Sequence, residues 1–156
     1  MSRLVFDGMQ HTITLYNAKE EIVGSWEAYN NIDSSREMRH LPNLTYMMQD
    51  KSNTYMHPSH PDWDTINGKY GTYGIVRFYM PETKYNKLHT GVGVHSGRAF
   101  HPVHPGPQHA TYGCIRTNEE AMKEIHDLIP LDNLTTITVI NNIPMLKQDK
   151  KRNDKY

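Results

Sequence analysis

Apolar and polar residues alternate over several short segments of the chain, which predicts a mostly β fold. The predicted strands are residues 4–6, 12–16, 22–26, 44–48, 73–80, 91–95 and 134–140. The first three are closely spaced and predict a meander, with Asp7 and Gly8 in its first turn. The polar stretch 30–69 around the fourth strand is interpreted as long loops. Together these segments favour a twisted sheet or a sandwich-like meander.

The apolar period changes near residue 118 and predicts one main helix. The apolar positions that recur at helical spacing are Ala121, Met122, Ile125, Leu128 and Ile129. They predict a helix over residues 119–129 that ends at Pro130, and Thr117 with Glu120 fits a capping box at its start. After the last strand, the charged segment 147–156 lacks apolar periodicity, which is typical of disorder. We therefore expect one domain over residues 1–144 and a disordered tail over residues 145–156.

Composition excludes some classes of function. The 156 residues suffice for a single domain with a core, and the charged fraction is 22% with zero formal net charge. A neutral chain gives no support to nucleic-acid binding through a basic surface. The N-terminus reaches Asp7 and Gly8 too early for a signal peptide, and no apolar stretch is long enough to insert in a membrane. We expect a soluble protein without a visible export signal.

The single cysteine suggests where chemistry takes place. Cys114 lies in the segment Thr-Tyr-Gly-Cys-Ile-Arg over residues 111–116, and His95 lies upstream in Gly-Val-His-Ser-Gly. A thiol becomes a good nucleophile when a nearby imidazole takes its proton, which would require the chain to fold back. The alternative is that Cys114 is a small buried hydrophobe, as many free cysteines are. One cysteine also rules out a disulfide within the chain and a cysteine-rich zinc site.

The order and spacing of these residues resemble the signature of the YkuD-type L,D-transpeptidases. That signature runs from a histidine through a spacer to serine or threonine, usually histidine, glycine, cysteine, a hydrophobe and then asparagine or arginine. The match is clearest over residues 73–129. A weaker likeness over residues 4–8, 13–16 and 23–26 is to L,D-transpeptidase-like effectors delivered by type VI secretion. The resemblance implies the mostly β L,D-transpeptidase fold, with its helix after the catalytic cysteine.

The resemblance also implies roles for individual residues. Cys114 would be the nucleophile, and His95 the base, with its imidazole oriented by a backbone carbonyl at Ser96. Backbone N–H groups of Tyr112, Gly113 and Cys114 are candidates for holding an oxyanion. In addition, two residues of the same segment, Thr111 and Arg116, are assigned to substrate binding. Arg116 would hold a substrate carboxylate or brace the loop through carbonyls, and Thr111 would tie the loop together through its hydroxyl.

Tyr112 departs from the family pattern, because many members carry histidine at this position. A phenol donates a hydrogen bond but does not titrate near neutral pH, so a proton-relay role is in doubt. A homologue that keeps the fold and has lost turnover is therefore an open alternative.

The expected reaction is attack by Cys114 on the carbonyl of the third residue of a peptidoglycan stem peptide, with release of D-alanine. Water, a D-amino acid or a second stem amine would then resolve the thioester. This gives L,D-carboxypeptidase action, exchange or a 3–3 cross-link, without any cofactor. The effector-like N-terminus favours an antibacterial toxin that is secreted by a dedicated machine and acts in a target-cell periplasm. An immunity protein would be its partner.

Two rival interpretations come from histidines elsewhere in the chain. The histidines near prolines are His57, His60, His101, His104 and His109. They suggest a non-enzymatic metal-binding or cell-wall-binding module with an inert cysteine, although a proline-stiffened loop with solvated histidines is favoured and no metal ligands are assigned. A cysteine peptidase of the NlpC type would need its histidine after the cysteine. Only His126 fits that order, in a poor position on the predicted helix.

Overall fold

The computed structural model of the chain describes residues 1–33, 40–81 and 91–143. The predicted tail over residues 145–156 lies outside these ranges. The described residues contain eight strands and one α-helix. The strands are β1 (Ser2–Asp7), β2 (Thr12–Tyr16), β3 (Ile22–Tyr29), β4 (Thr45–Met47), β5 (Ile75–Arg77), β6 (Gly93–His95), β7 (Ile115–Thr117) and β8 (Leu134–Ile140). Helix α1 is Glu119–Leu128.

The eight strands form a single sheet in the order β4-β8-β1-β2-β3-β7-β6-β5. Strands β1, β2 and β3 pair antiparallel as the predicted meander. Strand β8 returns to lie parallel to β1, so the first and last strands are neighbours. Strand β7 pairs antiparallel with β3 and parallel with β6. The mostly β prediction is confirmed.

The sheet is curled, because its two edge strands meet. Past the end of β4, the N–H of Gln49 donates to the carbonyl of Arg77 at 2.8 Å, and the N–H of Tyr79 donates to Met47 at 3.0 Å. Arg77 also forms a two-pronged pair with Asp50, with N–O distances of 2.8 and 2.9 Å. Main-chain bonds between edges satisfy groups that would otherwise be exposed to pairing with another chain.

Buried and partly exposed residues alternate along the strands, and the buried ones form the core on the inner face of the curled sheet. Leu4 and Phe6 of β1 and Ile13 and Leu15 of β2 are fully buried, and their strand neighbours are partly exposed. Helix α1 covers the same core with three buried apolar side chains, namely Ala121, Met122 and Ile125. Burial of such side chains contributes about 1.5–3 kcal/mol each before entropy is counted. This core fixes the face of the sheet on which the site is built.

The structure differs from the sequence prediction at three places. Strand β5 is shorter than the predicted strand over residues 73–80, since Gly74 has a positive φ of 73° and Phe78 forms only an isolated bridge to Met48. Strand β7 was not predicted. Its formation moves Thr117 into the sheet, where the hydroxyl donates to the carbonyl of Glu27. The helix cap is therefore Asn118, whose Oδ1 accepts from the Ala121 N–H at 2.9 Å.

Candidate active site

His95 and Cys114 are brought together by the parallel pair β6 and β7. In its register His95 lies opposite Arg116 and Val94 lies opposite Ile115. Cys114, immediately before β7, therefore lies next to Gly93, two residues before His95. Since side chains alternate between faces, Gly93 and His95 share one face of the sheet with Cys114. The chain does fold back across the spacer between them, as the sequence required.

The imidazole of His95 is held in one tautomer. Its Nδ1 lies 2.8 Å from the carbonyl oxygen of Ser96, and a carbonyl only accepts, so Nδ1 carries the proton. Nε2 is buried and has no hydrogen-bond partner among the described residues. The same is true of the Ser96 hydroxyl. The lone pair of Nε2 is thus left available to accept a proton, as a general base requires.

The electrostatics of the pair favour a neutral thiol and a neutral imidazole. Burial raises the pKa of the Cys114 thiol to about 11, although a hydrogen bond from the Gly93 backbone and the charge of Arg116 act in the opposite direction. Burial, followed by the charge of Arg116, holds the pKa of His95 well below its usual value. Helix α1 begins at Glu119, so the three residues of β7 lie between Cys114 and the helix N-terminus.

The turn that carries Cys114 is closed by its own side chains. The Thr111 hydroxyl donates to the Cys114 carbonyl at 2.7 Å and accepts from the Gly113 N–H at 3.2 Å. This is the tie predicted for Thr111. Gly113 has a φ of 139°, a region that favours glycine. The Gly113 N–H thus already has an acceptor in Thr111, and oxyanion binding by the backbone of Tyr112, Gly113 and Cys114 stays a prediction.

Asn30 holds this turn from the opposite side and was missed by sequence reasoning. Its fully buried side chain donates to the carbonyls of both Gly113 and Cys114 at 3.0 Å. Its Oδ1 accepts from the Leu41 N–H at 2.8 Å and from Asn142 at 3.0 Å. Asn30 directly follows β3 in the structure, but it lies four residues past the strand predicted over residues 22–26, so no sequence signal pointed to it.

Arg116 lies under the turn with no exposed surface. Its guanidinium donates to the carbonyl of His109 at 3.2 Å and to the carbonyl of Lys69 at 2.9 Å. These are the contacts of a brace between two loops, which was one of its two predicted roles. Binding of a substrate carboxylate by Arg116 would require a side chain that solvent does not reach, and it stays a prediction.

A comparison with protein families adds an independent observation to this geometry. The model of the YkuD family, described as the L,D-transpeptidase catalytic domain, matches residues 2–140. The match covers all eight strands and the helix. The chain belongs to this family. The resemblance inferred from the His95 and Cys114 segments is thereby confirmed at the level of the family, and the finer assignment to type VI secretion effectors is not.

Solved structures share the fold of this L,D-transpeptidase domain. An L,D-transpeptidase from Stackebrandtia nassauensis aligns with a TM-score of 0.51 at 12% identity, over 92% of this chain and 57% of that chain. The Bdellovibrio bacteriovorus protein Bd1075 aligns with a TM-score of 0.58 at 18% identity, over 90% of this chain and 48% of that chain. The chain thus spans about half the length of these structures. No curated protein matches it significantly.

Tyr70 is a further neighbour of the site that the sequence did not reveal. Its ring packs edge-on against the imidazole of His95, with centroids 4.8 Å apart, and stacks on the ring of His57 at 4.2 Å. The Nδ1 of His57 is in turn 2.9 Å from the carboxylate of Asp64. Burial, and next the proximity of Cys114, raise the pKa of the Tyr70 phenol. Tyr70, the first residue after the stretch 30–69, therefore covers His95, and His57 and Asp64 of that stretch lie behind it.

The remaining sequence candidates are the other histidines and Tyr112. His101 accepts backbone N–H groups of Val103 and His104 through Nδ1. Within residues 1–33, 40–81 and 91–143, no three histidine, cysteine or acidic side chains are placed to hold a metal ion. His126 is exposed on α1 beside Asp127. Tyr112 is partly buried in the catalytic turn.

In the ranges that the structure describes, no helix is long and apolar enough to cross a bilayer.

Proposed function

We propose that this L,D-transpeptidase domain is a peptidoglycan-modifying cysteine acyltransferase. Cys114 is the nucleophile and His95 the general base. The donor is a stem tetrapeptide, attacked at the carbonyl of its third residue. The thioester is resolved by water, by a D-amino acid or by the amine of a second stem.

The observation that carries the proposal is the orientation of His95. Its Nδ1 proton is committed to the Ser96 carbonyl, so Nε2 is left as the acceptor on the face shared with Cys114. A histidine that served only to fill the sheet would be expected to use both nitrogens in hydrogen bonds. The membership of residues 2–140 in the family supports the same chemistry.

In the first half-reaction the thiol proton moves to Nε2 as sulfur attacks the carbonyl. Because the pKa of Cys114 is raised to about 11 and that of His95 is lowered, a preformed ion pair is disfavoured in the resting protein. Proton transfer then accompanies bond formation, when the carbonyl oxygen takes up negative charge. The backbone N–H groups of Tyr112, Gly113 and Cys114 are the proposed donors to that oxyanion.

The tetrahedral intermediate collapses when the C–N bond to D-alanine breaks. The imidazolium of His95 donates its Nε2 proton to the leaving amine, which restores the neutral base. For the second half-reaction, the same nitrogen removes a proton from water or from an acceptor amine. That acceptor attacks the thioester, and the Cys114 thiol leaves protonated.

Two substitutions test this assignment. The wild-type chain, Cys114→Ala and His95→Ala are each incubated with a disaccharide-tetrapeptide and followed by intact mass spectrometry of protein and products. We expect wild type alone to remove the terminal D-alanine and to carry a transient adduct on Cys114. The product mass separates hydrolysis, exchange and cross-linking. Removal of the nucleophile or the base should lower the rate on the order of 10³-fold or more.

A control separates chemistry from folding. His126→Ala alters an exposed imidazole on α1 and should leave turnover unchanged, whereas an NlpC-type mechanism would require it. Equal product from wild type and Cys114→Ala would contradict the proposal. Binding of the tetrapeptide without acylation would favour the inactive homologue. Stability that depends on added metal would favour the histidine-rich binding module.

We also propose that the domain acts as a secreted antibacterial effector with an immunity protein as partner. The support is the likeness of residues 4–8, 13–16 and 23–26 to the opening of type VI L,D-transpeptidase effectors. We expect lysis or rounding when the chain is directed to the periplasm of a bacterium, and normal growth with Cys114→Ala or with cytoplasmic expression. Normal growth in the periplasmic arm, with the protein detected there, would remove the effector role and leave the enzyme assignment intact.

A further inference from the structure

A second concave site lies beside the candidate active site. It encloses about 400 Å³ between the loop over residues 62–69 and Arg98. Two cations, Lys69 and Arg98, and one anion, Asp62, line it together with the indole of Trp63. The lining therefore carries one more positive than negative charge, which suits an anion with a single charge.

The walls of this pocket are fixed by main-chain hydrogen bonds. The N–H of Arg98 donates to the carbonyl of Gly68 at 3.0 Å, and the N–H of Ala99 donates to Ile66 at 3.2 Å. A Cβ on Gly97 would overlap the carbonyl oxygen of Gly68, so the two loops are in direct contact. Pre-formed walls lower the entropy cost of binding a small ligand.

The arginine of this pocket is unusual in both backbone and side chain. Arg98 has a φ of 54°, a conformation that non-glycine residues seldom adopt and that persists only when the surroundings impose it. Its Nε is buried and has no hydrogen-bond partner in the described part of the chain. Arg98 is partly exposed and lines the pocket, so its side chain is within reach of a ligand there. A guanidinium presents parallel N–H groups that match a carboxylate.

The second cation is held close to the first. The Lys69 ammonium lies 4.4 Å from the centroid of the Trp63 ring, whose indole also stacks on His60 at 3.8 Å. Burial, and next the charge of Arg98, lower the pKa of Lys69. Two like charges brought together are stabilised when an anion binds between them. The stacked His60 already occupies part of the indole surface, which makes a sugar platform less suitable than an anion site.

The pocket adjoins the proposed reaction centre through its backbone. Arg98 is three residues after His95, and the carbonyl of Lys69 accepts from Arg116 at 2.9 Å. Tyr70, which packs on His95, follows Lys69 in the chain. The pocket and the proposed reaction centre therefore share the segments 68–71 and 95–98, which are in direct contact.

We propose that the pocket formed by Lys69, Arg98 and Trp63 is a subsite for a carboxylate of the peptidoglycan stem peptide. The proposal rests on the proposed function, since it names how that substrate is recognised. A stem tetrapeptide offers such carboxylates on its second, third and fourth residues. The sequence offered carboxylate binding or loop bracing as the role of Arg116, whose contacts are those of a brace, and Arg98 takes the carboxylate role here.

The test measures binding without turnover. The full chain carrying Cys114→Ala is titrated with the stem tetrapeptide, and with versions amidated at the second, third or fourth residue. The readout is the indole N–H resonance of Trp63, which is distinguishable because the chain has only two tryptophans. We expect a saturable shift with the free tetrapeptide, and at least tenfold weaker binding when one carboxylate is amidated. That position identifies the source.

Variants of the pocket sharpen the result. Arg98→Gln should weaken binding of the free tetrapeptide by tenfold or more. The same substitution should hardly change the affinity for the peptide in which the recognised carboxylate is amidated. Arg98→Lys should recover part of the affinity. Arg3→Gln is the matched control. Arg3 lies on β1 and pairs with Glu20, and neither residue lines the pocket, so this variant should bind the peptide as the parent does.

Several outcomes would overturn the proposal. These are the absence of binding, equal binding of all amidated peptides, and unchanged affinity in Arg98→Gln. The amidation series uses the intact pocket, so it decides the matter even if Arg98→Gln does not fold. Turnover by the native chain without any effect of amidation would reject the subsite and leave acyl transfer standing. Carboxylate-dependent binding without turnover would support the subsite and reject acyl transfer.

Discussion

The meander of β1, β2 and β3 and the loops around Cys114 are stabilised in different ways. In the meander, consecutive strands form regular ladders and apolar side chains such as Leu15 fill the core. Around Cys114 the strands are three residues long, and the loops are held by buried polar side chains that bond to backbone carbonyls. The first region depends on apolar burial, and the second on hydrogen bonds with specific geometry.

This difference separates stability from function. Apolar burial has no directional requirement, so a ladder tolerates exchange of one hydrophobe for another of similar size. A buried amide such as Asn30 satisfies several partners at defined distances, and no other side chain reproduces them all. The site region should therefore lose activity through substitutions that leave the meander folded.

The largest effect on stability is expected from the meander. Leu15→Ala removes a fully buried side chain from β2, and it should lower the free energy of unfolding by about 3–4 kcal/mol. The rate of acyl-enzyme formation per folded molecule should stay within about twofold, because β2 pairs with β1 and β3 and not with β6 or β7, which position His95 and Cys114. Urea unfolding and active-site titration of the same sample would measure both quantities.

Ile22→Ala is the control for this prediction. Ile22 begins β3 with a side chain that is 63% exposed, so its loss should change the free energy of unfolding by less than about 0.5 kcal/mol. If Leu15→Ala slowed acylation strongly in folded molecules, the two regions would not be separable as described.

A smaller loss of stability with a larger loss of activity is expected at Asn30. Asn30→Ala leaves the carbonyls of Gly113 and Cys114 and the Leu41 N–H without this partner, which should lower the free energy of unfolding by about 2 kcal/mol. Displacement of the turn should slow acylation on the order of 100-fold. Unfolding curves and the rate of adduct formation on Cys114 would test both.

Asn31→Ala provides the matched comparison at the next residue. Its side chain donates to the carbonyl of Gln108 at 3.1 Å and not to the turn that carries Cys114, so its loss should have the smaller effect on both measurements. Equal acylation rates in Asn30→Ala and the parent would show that the Cys114 turn does not depend on this amide.

The same contrast explains how much could be predicted from the sequence. Periodicity located the meander, β8 and α1, because burial on one face leaves a repeated apolar pattern. It missed β7, whose three residues Ile115, Arg116 and Thr117 are all buried and show no alternation. The polar network of Asn30 was equally hidden, since its partners are backbone carbonyls distant in sequence.

The candidate site was found through residue order and not through periodicity. His95, Gly113 and Cys114 form a signature that the family match supports. The covering residue Tyr70 and the cation Arg98 carry no such signature. Their positions depend on how the loops 62–71 and 96–99 pack against each other. Main-chain contacts hold these loops together, and such contacts leave no local residue pattern in the sequence.

The parallel pairing of β1 with β8 has a consequence for the order in which the chain folds. Residues 2–7 find their partner only at residues 134–140, so a ribosome must synthesise nearly the whole domain before the two strands can meet. Contacts of such long sequence separation slow folding, because the intervening chain must be closed into a loop first. Until then one edge of β1 is unpaired, and it is open to pairing with another chain.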